Sequence, residues 1–108
     1  MAIKTRDVFA VHVVSGVATD VHQELRGGAM AAFTDLTLVT KKGPVEVRAM
    51  GTSVKRGEEI TCVIGGAQGA TRIANVVLPA DADAKTVKAS VDRVQQNNFQ
   101  RQLHSALS

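Results

Sequence analysis

Residues 33–50 read FTDLTLVTKKGPVEVRAM, and this stretch decides the fold. Leu36 and Leu38 stand two apart, with Thr37 and Val39 on the alternate positions. Val45, Val47 and Ala49 do the same, separated by Glu46 and Arg48. Side chains two apart lie on one face of a strand, so both halves read as strands, and the second has one plainly polar face. Between the halves come Lys41-Lys42-Gly43-Pro44. Glycine eases a tight turn, and proline presets φ for the element that follows. The stretch predicts a β-hairpin with one wet face.

Working toward the C-terminus, TSVKRGEEITCVIGG brings a basic, glycine-marked turn and then a new alternating run. Ile60, Cys62 and Ile64 fall on one side of a strand, Thr61 and Val63 on the other. The pair Gly65-Gly66 is expected to end it. A further strand is predicted to start near Thr71 and to stop at Pro79. Ile73, Asn75 and Val77 share one of its faces, and Ala74, Val76 and Leu78 the other. Two partly apolar faces suit a covered or closed position in a sheet.

Toward the N-terminus, VFAVHVVSGVATDVHQELRG is rich in residues that pack well on a pleated surface. Val11 and Val13 point one way, His12 and Val14 the other. Gly16 interrupts the pattern and marks either a bend or bulge in one long strand or a turn between two. Beyond it, Val17, Thr19 and Val21 alternate with Ala18, Asp20 and His22. Gly27-Gly28 signals a turn, and Ala29-Met30-Ala31-Ala32 suits a short helical turn or a loop.

From Asp81 the period changes to that of a helix. Asp81 and Asp83 are candidate N-caps, because a carboxylate can accept the orphan N–H groups of the first turn. Val87, Val91 and Val94 form an apolar stripe that Phe99, Leu103 and Leu107 resume. Asn97-Asn98 is expected to bend or end the helix between them. The stripe can pack on its own barrel or pair with another chain.

The expected fold is therefore mainly β: a small five- or six-stranded antiparallel β-barrel with a C-terminal α-helix. Residues 1–79 make the barrel domain, and 80–108 make a helical segment packed on it or on another subunit. Barrel closure hides strand edges that would otherwise invite pairing with other chains. A twisted open sheet crossed by the helix is the alternative. The chain of 108 residues allows one modest core. With no Trp, no Tyr and three Phe, that core must be built from Val, Ile, Leu, Ala and a few Phe and Met. Glycines 27, 28, 43, 57, 65 and 66, set between β-patterned runs, give the chain a resemblance to the OB-like and SH3-like small barrels. That resemblance implies a fold and a way of presenting loops.

The candidate sites are weighed against plain structural roles. "GTSVKRGEEI" has glycines but not the GxxxxGK[ST] of a phosphate loop, and Glu58 and Glu59 would repel a phosphate. It reads as a strand corner. "GGAQGATR" reads as a hairpin loop. Lys41, Lys42, Arg48, Lys55, Arg56 and Arg72 are the basic residues that could contact nucleic acid or a protein partner. Barrels that bind single strands usually also offer exposed aromatics, and this chain has only Phe9, Phe33 and Phe99. His12 and His22, with Asp20 and Glu24 nearby, do not make a metal site by spacing alone, and no metal or cofactor is expected. His104 suits a helix end. Cys62 is the one cysteine, so no internal disulfide forms, and its apolar neighbours mark it as a small buried hydrophobe.

The run at 8–14 is too short and too polar for a membrane span or a signal peptide, so no membrane partner is expected and the default location is cytoplasmic. The net charge of +3 is mild. No enzyme constellation stands out. The functional expectation is a non-enzymatic binding or assembly module that self-associates as a homo-oligomer through Val87, Val91, Val94, Phe99, Leu103 and Leu107. A nucleic-acid-binding barrel using a basic loop rim is the second expectation. A small-ligand domain or enzyme, joining His12 or His22 to an acid in a cleft, is the third.

Overall fold

The computed structural model describes residues 11–24, 33–51 and 54–107, with Gln23, Glu24, Gln102 and residues 104–107 described by backbone alone. The Gly27-Gly28 turn, the segment at 29–32, Phe9 and the side chains of His104 and Leu107 lie outside the described residues. Within them the elements are β1 (His12–Glu24), β2 (Phe33–Thr40), β3 (Gly43–Met50), β4 (Glu59–Gln68), β5 (Thr71–Pro79) and α1 (Ala84–Leu107).

The strands close into a barrel in the order β1-β2-β3-β5-β4. The predicted hairpin forms as read: β2 and β3 pair from Phe33↔Met50 to Thr40↔Gly43, and Lys41-Lys42 is the turn. β4 then returns to lie beside β1, which gives the spatial order of a Greek key. One seam corrects the expectation of antiparallel strands throughout: β3 and β5 run parallel, from Val47↔Arg72 to Ala49↔Ala74. A closed ring of five strands cannot reverse direction at every seam, because strict alternation needs an even number.

Gly16 sits inside one long strand rather than between two. β1 pairs with β4 from His12↔Ile64 to Val17↔Glu59, and with β2 from Val17↔Val39 onward. It thus passes from one neighbour to the other near Gly16. A Cβ at Gly16 would overlap the Val39 carbonyl oxygen, so the crossing needs glycine. Three residues later the β1–β2 register shifts between Thr19 and His22, and Asp20 takes φ 46°. This bulge breaks strict alternation and turns both Ala18 and Val21 toward the core. In β5, Asn75 is skipped between Val76 and Ala74 in the same way. Ala74 and Val77, expected on opposite faces, therefore both pack inward.

The barrel core is built from the expected Val, Ile, Leu and Ala, without Phe or Met in its buried cluster among the described residues: Leu36, Leu38, Val47, Ile60, Cys62 and Ile64 are all buried, with Ala18, Ala49 and Ala74 between them. β4 does not end at Gly65-Gly66 but runs to Gln68, and Gly69-Ala70 is the turn. Gly65 has a different task. A Cβ there would overlap Asn75 Oδ1 and come within 2.5 Å of Val94 Cγ1. Its missing side chain lets α1 settle on β4. Val63 and Thr61 are buried on that outer face, opposite the buried Val94 and Ser90 of the helix. Asn98, expected to interrupt the helix, instead donates its Nδ2–H to the Gly65 carbonyl oxygen at 3.0 Å. α1 runs unbroken to Leu107.

Candidate functional site

The site begins with an overhang. β1 pairs with β4 from His12, but its ladder with β2 starts only at Val17. Among the described residues, positions 12–16 of β1 therefore have a strand neighbour on one side only. On the other side the β2–β3 hairpin has already turned away. Thr40 Oγ1 donates to the Gly43 carbonyl at 2.7 Å and accepts from the Lys42 N–H at 3.1 Å. These bonds pin the turn and hold Lys41 and Lys42 out beside β1.

Two hollows result. One, of about 400 Å³, lies between the overhang and the turn, lined by Val13, Val14, Ser15, Thr40, Lys41 and Lys42. The other, of about 320 Å³, is lined by His12, Val13, Val14, Val45, Ile64 and Arg72. Val14 and Val45 pack against the buried core cluster, which includes Ile64, so this second hollow is the mouth of the barrel. Val13 and Val14 belong to both, which makes them one surface. Its floor is apolar. Its flanks carry Lys41 and Lys42 on one side, Arg72 and His12 on the other. Among the described residues no carboxylate lines either hollow. Glu59 lines a third hollow, of about 220 Å³, which shares Ser15 and Lys41 with the first. Val13 and Val39 are each 44% exposed beside these charges.

The other basic candidates sit elsewhere. Lys55 and Arg56 occupy the corner before β4. There the Gly57 N–H donates to the Ala18 carbonyl at 2.7 Å, and Glu58 Oε1 accepts the Lys55 N–H at 3.0 Å. The corner is thus closed by its own acid, where a phosphate loop would leave its amides open. It borders β1 at Ala18, past the overhang. Arg48 lies on the outer face of β2–β3. Its Nε and Nη2 pair with the two oxygens of Asp35 at 2.8 and 3.1 Å, and its guanidinium carbon sits 4.1 Å from the centre of the Phe33 ring. Thr37 adds a 2.9 Å bond to Glu46 on the same face. This face carries two acids, and its one aromatic ring is buried beneath Arg48.

Of the helix stripe, Val94 is buried against the barrel, Val87, Val91 and Phe99 are half-buried, and Leu103 is 37% exposed. Asp83 caps α1, its Oδ1 accepting the Thr86 N–H at 2.7 Å. Hydrogen bonding from Thr86, its hydroxyl first and its N–H second, holds the Asp83 carboxyl below its ordinary pKa. Cys62 lies in the barrel core, where burial pushes its thiol up to about 11, away from nucleophilic chemistry. Among the described residues, no group of three or more His, Cys, Asp or Glu could hold a metal ion. No described helix is long and apolar enough to cross a membrane.

Sequence reasoning weighed His12 only as a metal or catalytic residue and missed its place at the mouth. The signal was present: His12 shares a strand face with Val14, at the open start of β1. What could not be read was which strand's ladder stops short.

Against family models, curated proteins and solved structures alike, the chain finds no match.

Proposed function

We propose that this chain is a non-enzymatic binding module that receives an acidic segment of a partner protein at one end of its barrel. The observation that carries this reading is the joined surface around Val13 and Val14. Three cationic side chains, Lys41, Lys42 and Arg72, flank it together with the His12 imidazole, and among the described residues one carboxylate, Glu59, lies in the adjoining hollow. A nearly uniform sign of charge over an apolar floor selects anionic partners and steers their approach. Nucleic acid is the less supported partner. The phosphates would find lysines, but the bases would find no exposed aromatic ring among the described residues.

The test is fluorescence anisotropy with labelled polyglutamate and, in parallel, labelled oligothymidylate. The reading expects polyglutamate to bind, to weaken with added salt, and to lose about tenfold or more in affinity in the double variant Lys41→Glu, Lys42→Glu. Binding of oligothymidylate alone, or binding indifferent to those two lysines, contradicts it.

Self-association is proposed in a narrower form than the sequence suggested. Val94 is taken up by the chain's own barrel, which leaves the distal part of α1, where Leu103 is 37% exposed, as the seam between copies. Light scattering of the wild type against Leu103→Glu decides it: a dimer that the variant dissociates supports the seam, and a wild-type monomer removes it. A cytoplasmic location belongs to the same proposal, and fluorescence imaging of the tagged chain tests it.

A further inference from the structure

We infer that the acidic segment binds by strand addition, as an extra β-strand laid along the open edge of β1. The inference rests on the acidic-partner reading and adds its geometry. The Ala18 N–H donates to the Glu58 carbonyl, and the Ala18 carbonyl accepts the Gly57 N–H, so Ala18 turns its backbone toward the β4 side. Backbone groups in a strand alternate in direction, so Val14 and Gly16 face β4 as well. Val13, Ser15 and Val17 then face the other way. Val17 meets β2 at Val39, while Val13 and Ser15 face the hollow beside the Lys41-Lys42 turn. Two residues with outward N–H and C=O groups offer the ladder that an extended peptide needs.

The side chains around the edge specify the occupant. A strand added there alternates its own side chains inward and outward. Inward ones enter the barrel mouth over Val14, Val45 and Ile64, which favours aliphatic residues. Outward ones lie beside Val13, within the field of Lys41 and Lys42, which favours aspartate or glutamate. The segment is thus an extended peptide alternating acid and aliphatic residues. A second copy of this chain is a poor occupant, because two β1 edges brought together would also bring two Lys41-Lys42 turns together. A nucleic acid has no backbone N–H and C=O groups to continue the ladder.

The probe is a capped hexapeptide alternating aspartate and valine, added to the full chain. Amide hydrogen exchange by NMR reads the edge directly. Strand addition expects the Val13 and Ser15 amides to slow about tenfold or more at saturation. The variant Val13→Pro removes one edge donor without removing a bond to β4, and peptide affinity is expected to fall about tenfold. Unchanged circular dichroism confirms that the variant folds; if it does not fold, exchange at Ser15 in the wild type decides alone. Peptide binding that needs Lys41 and Lys42 but leaves Ser15 exchange unchanged overturns strand addition and spares the acidic-partner reading. Absent binding, or binding indifferent to the lysines, overturns both. Ser15 protection that rises with protein concentration and no peptide makes a second copy the occupant and overturns the proposal. Oligothymidylate displacing the peptide's effect at the same amides overturns it in favour of nucleic acid.

Discussion

Gly65 and Gly66 stand side by side in β4, and only one of them is indispensable. A Cβ on Gly66 meets nothing closer than 3.9 Å, whereas one on Gly65 runs into Asn75 and Val94. Gly65→Ala should therefore cost about 1–3 kcal/mol by overpacking the helix seat. Gly66→Ala should stay within about 0.5 kcal/mol of the wild type. Urea denaturation followed by circular dichroism checks the contrast, and equal effects would contradict the docking role. Arg48, a candidate partner contact in the sequence, makes contacts within the barrel. Tied to Asp35 and lying over Phe33, it supports the β2–β3 face. Arg48→Ala should lower stability by about 1 kcal/mol and leave polyglutamate binding unchanged. Cys62 adds a pH dependence. Its thiol is raised by burial from 9.0 to about 11, so the unfolded chain loses that proton first as pH rises. The folded state is therefore expected to lose stability from this group between pH 9 and about 11, and none below. Chemical denaturation of the wild type and Cys62→Ala across that window measures it: only the wild type should show this component.

At the scale of elements, the sequence located the strands and the helix well because alternation and helical period are local properties. It failed where one element answers to another. The bulges at Asp20 and Asn75 shift which residues face inward, and nothing in a period of two announces a skipped residue. Gly65-Gly66 looked like a stop because glycine usually serves turns, yet one of the pair serves a helix far along the chain. Asn98 looked like a breaker until its amide found the Gly65 carbonyl. The cap at Asp83, by contrast, was legible, since capping is decided within one turn. Its carboxyl is held below the ordinary value by the Thr86 hydroxyl and then the Thr86 N–H, so its help to α1 is present above the usual carboxylate range and fades as pH falls through the lowered value. Asp83→Asn should keep the cap and remove that acid sensitivity, as helicity measured from neutral to acid pH would show. Val94 carries the docking, and Val94→Ala should cost about 1–3 kcal/mol.

For the whole molecule, the closed barrel explains where binding can occur. β1 overruns β2, and among the described residues the open backbone of that overhang and the cluster of basic side chains fall at one end. Half of this was readable beforehand. Lys41 and Lys42 were marked by the hairpin turn, and Arg72 by the start of β5. Their meeting around Val13 and Val14 depends on the barrel order. The measurement that tests the account most directly is a titration of the isotope-labelled chain with polyglutamate, followed by the backbone amide shifts of every residue. The account expects changes concentrated at residues 12–15, at 40–42 and at Arg72. Changes centred on the Asp35–Arg48 face or on α1, or no changes at all, would contradict it.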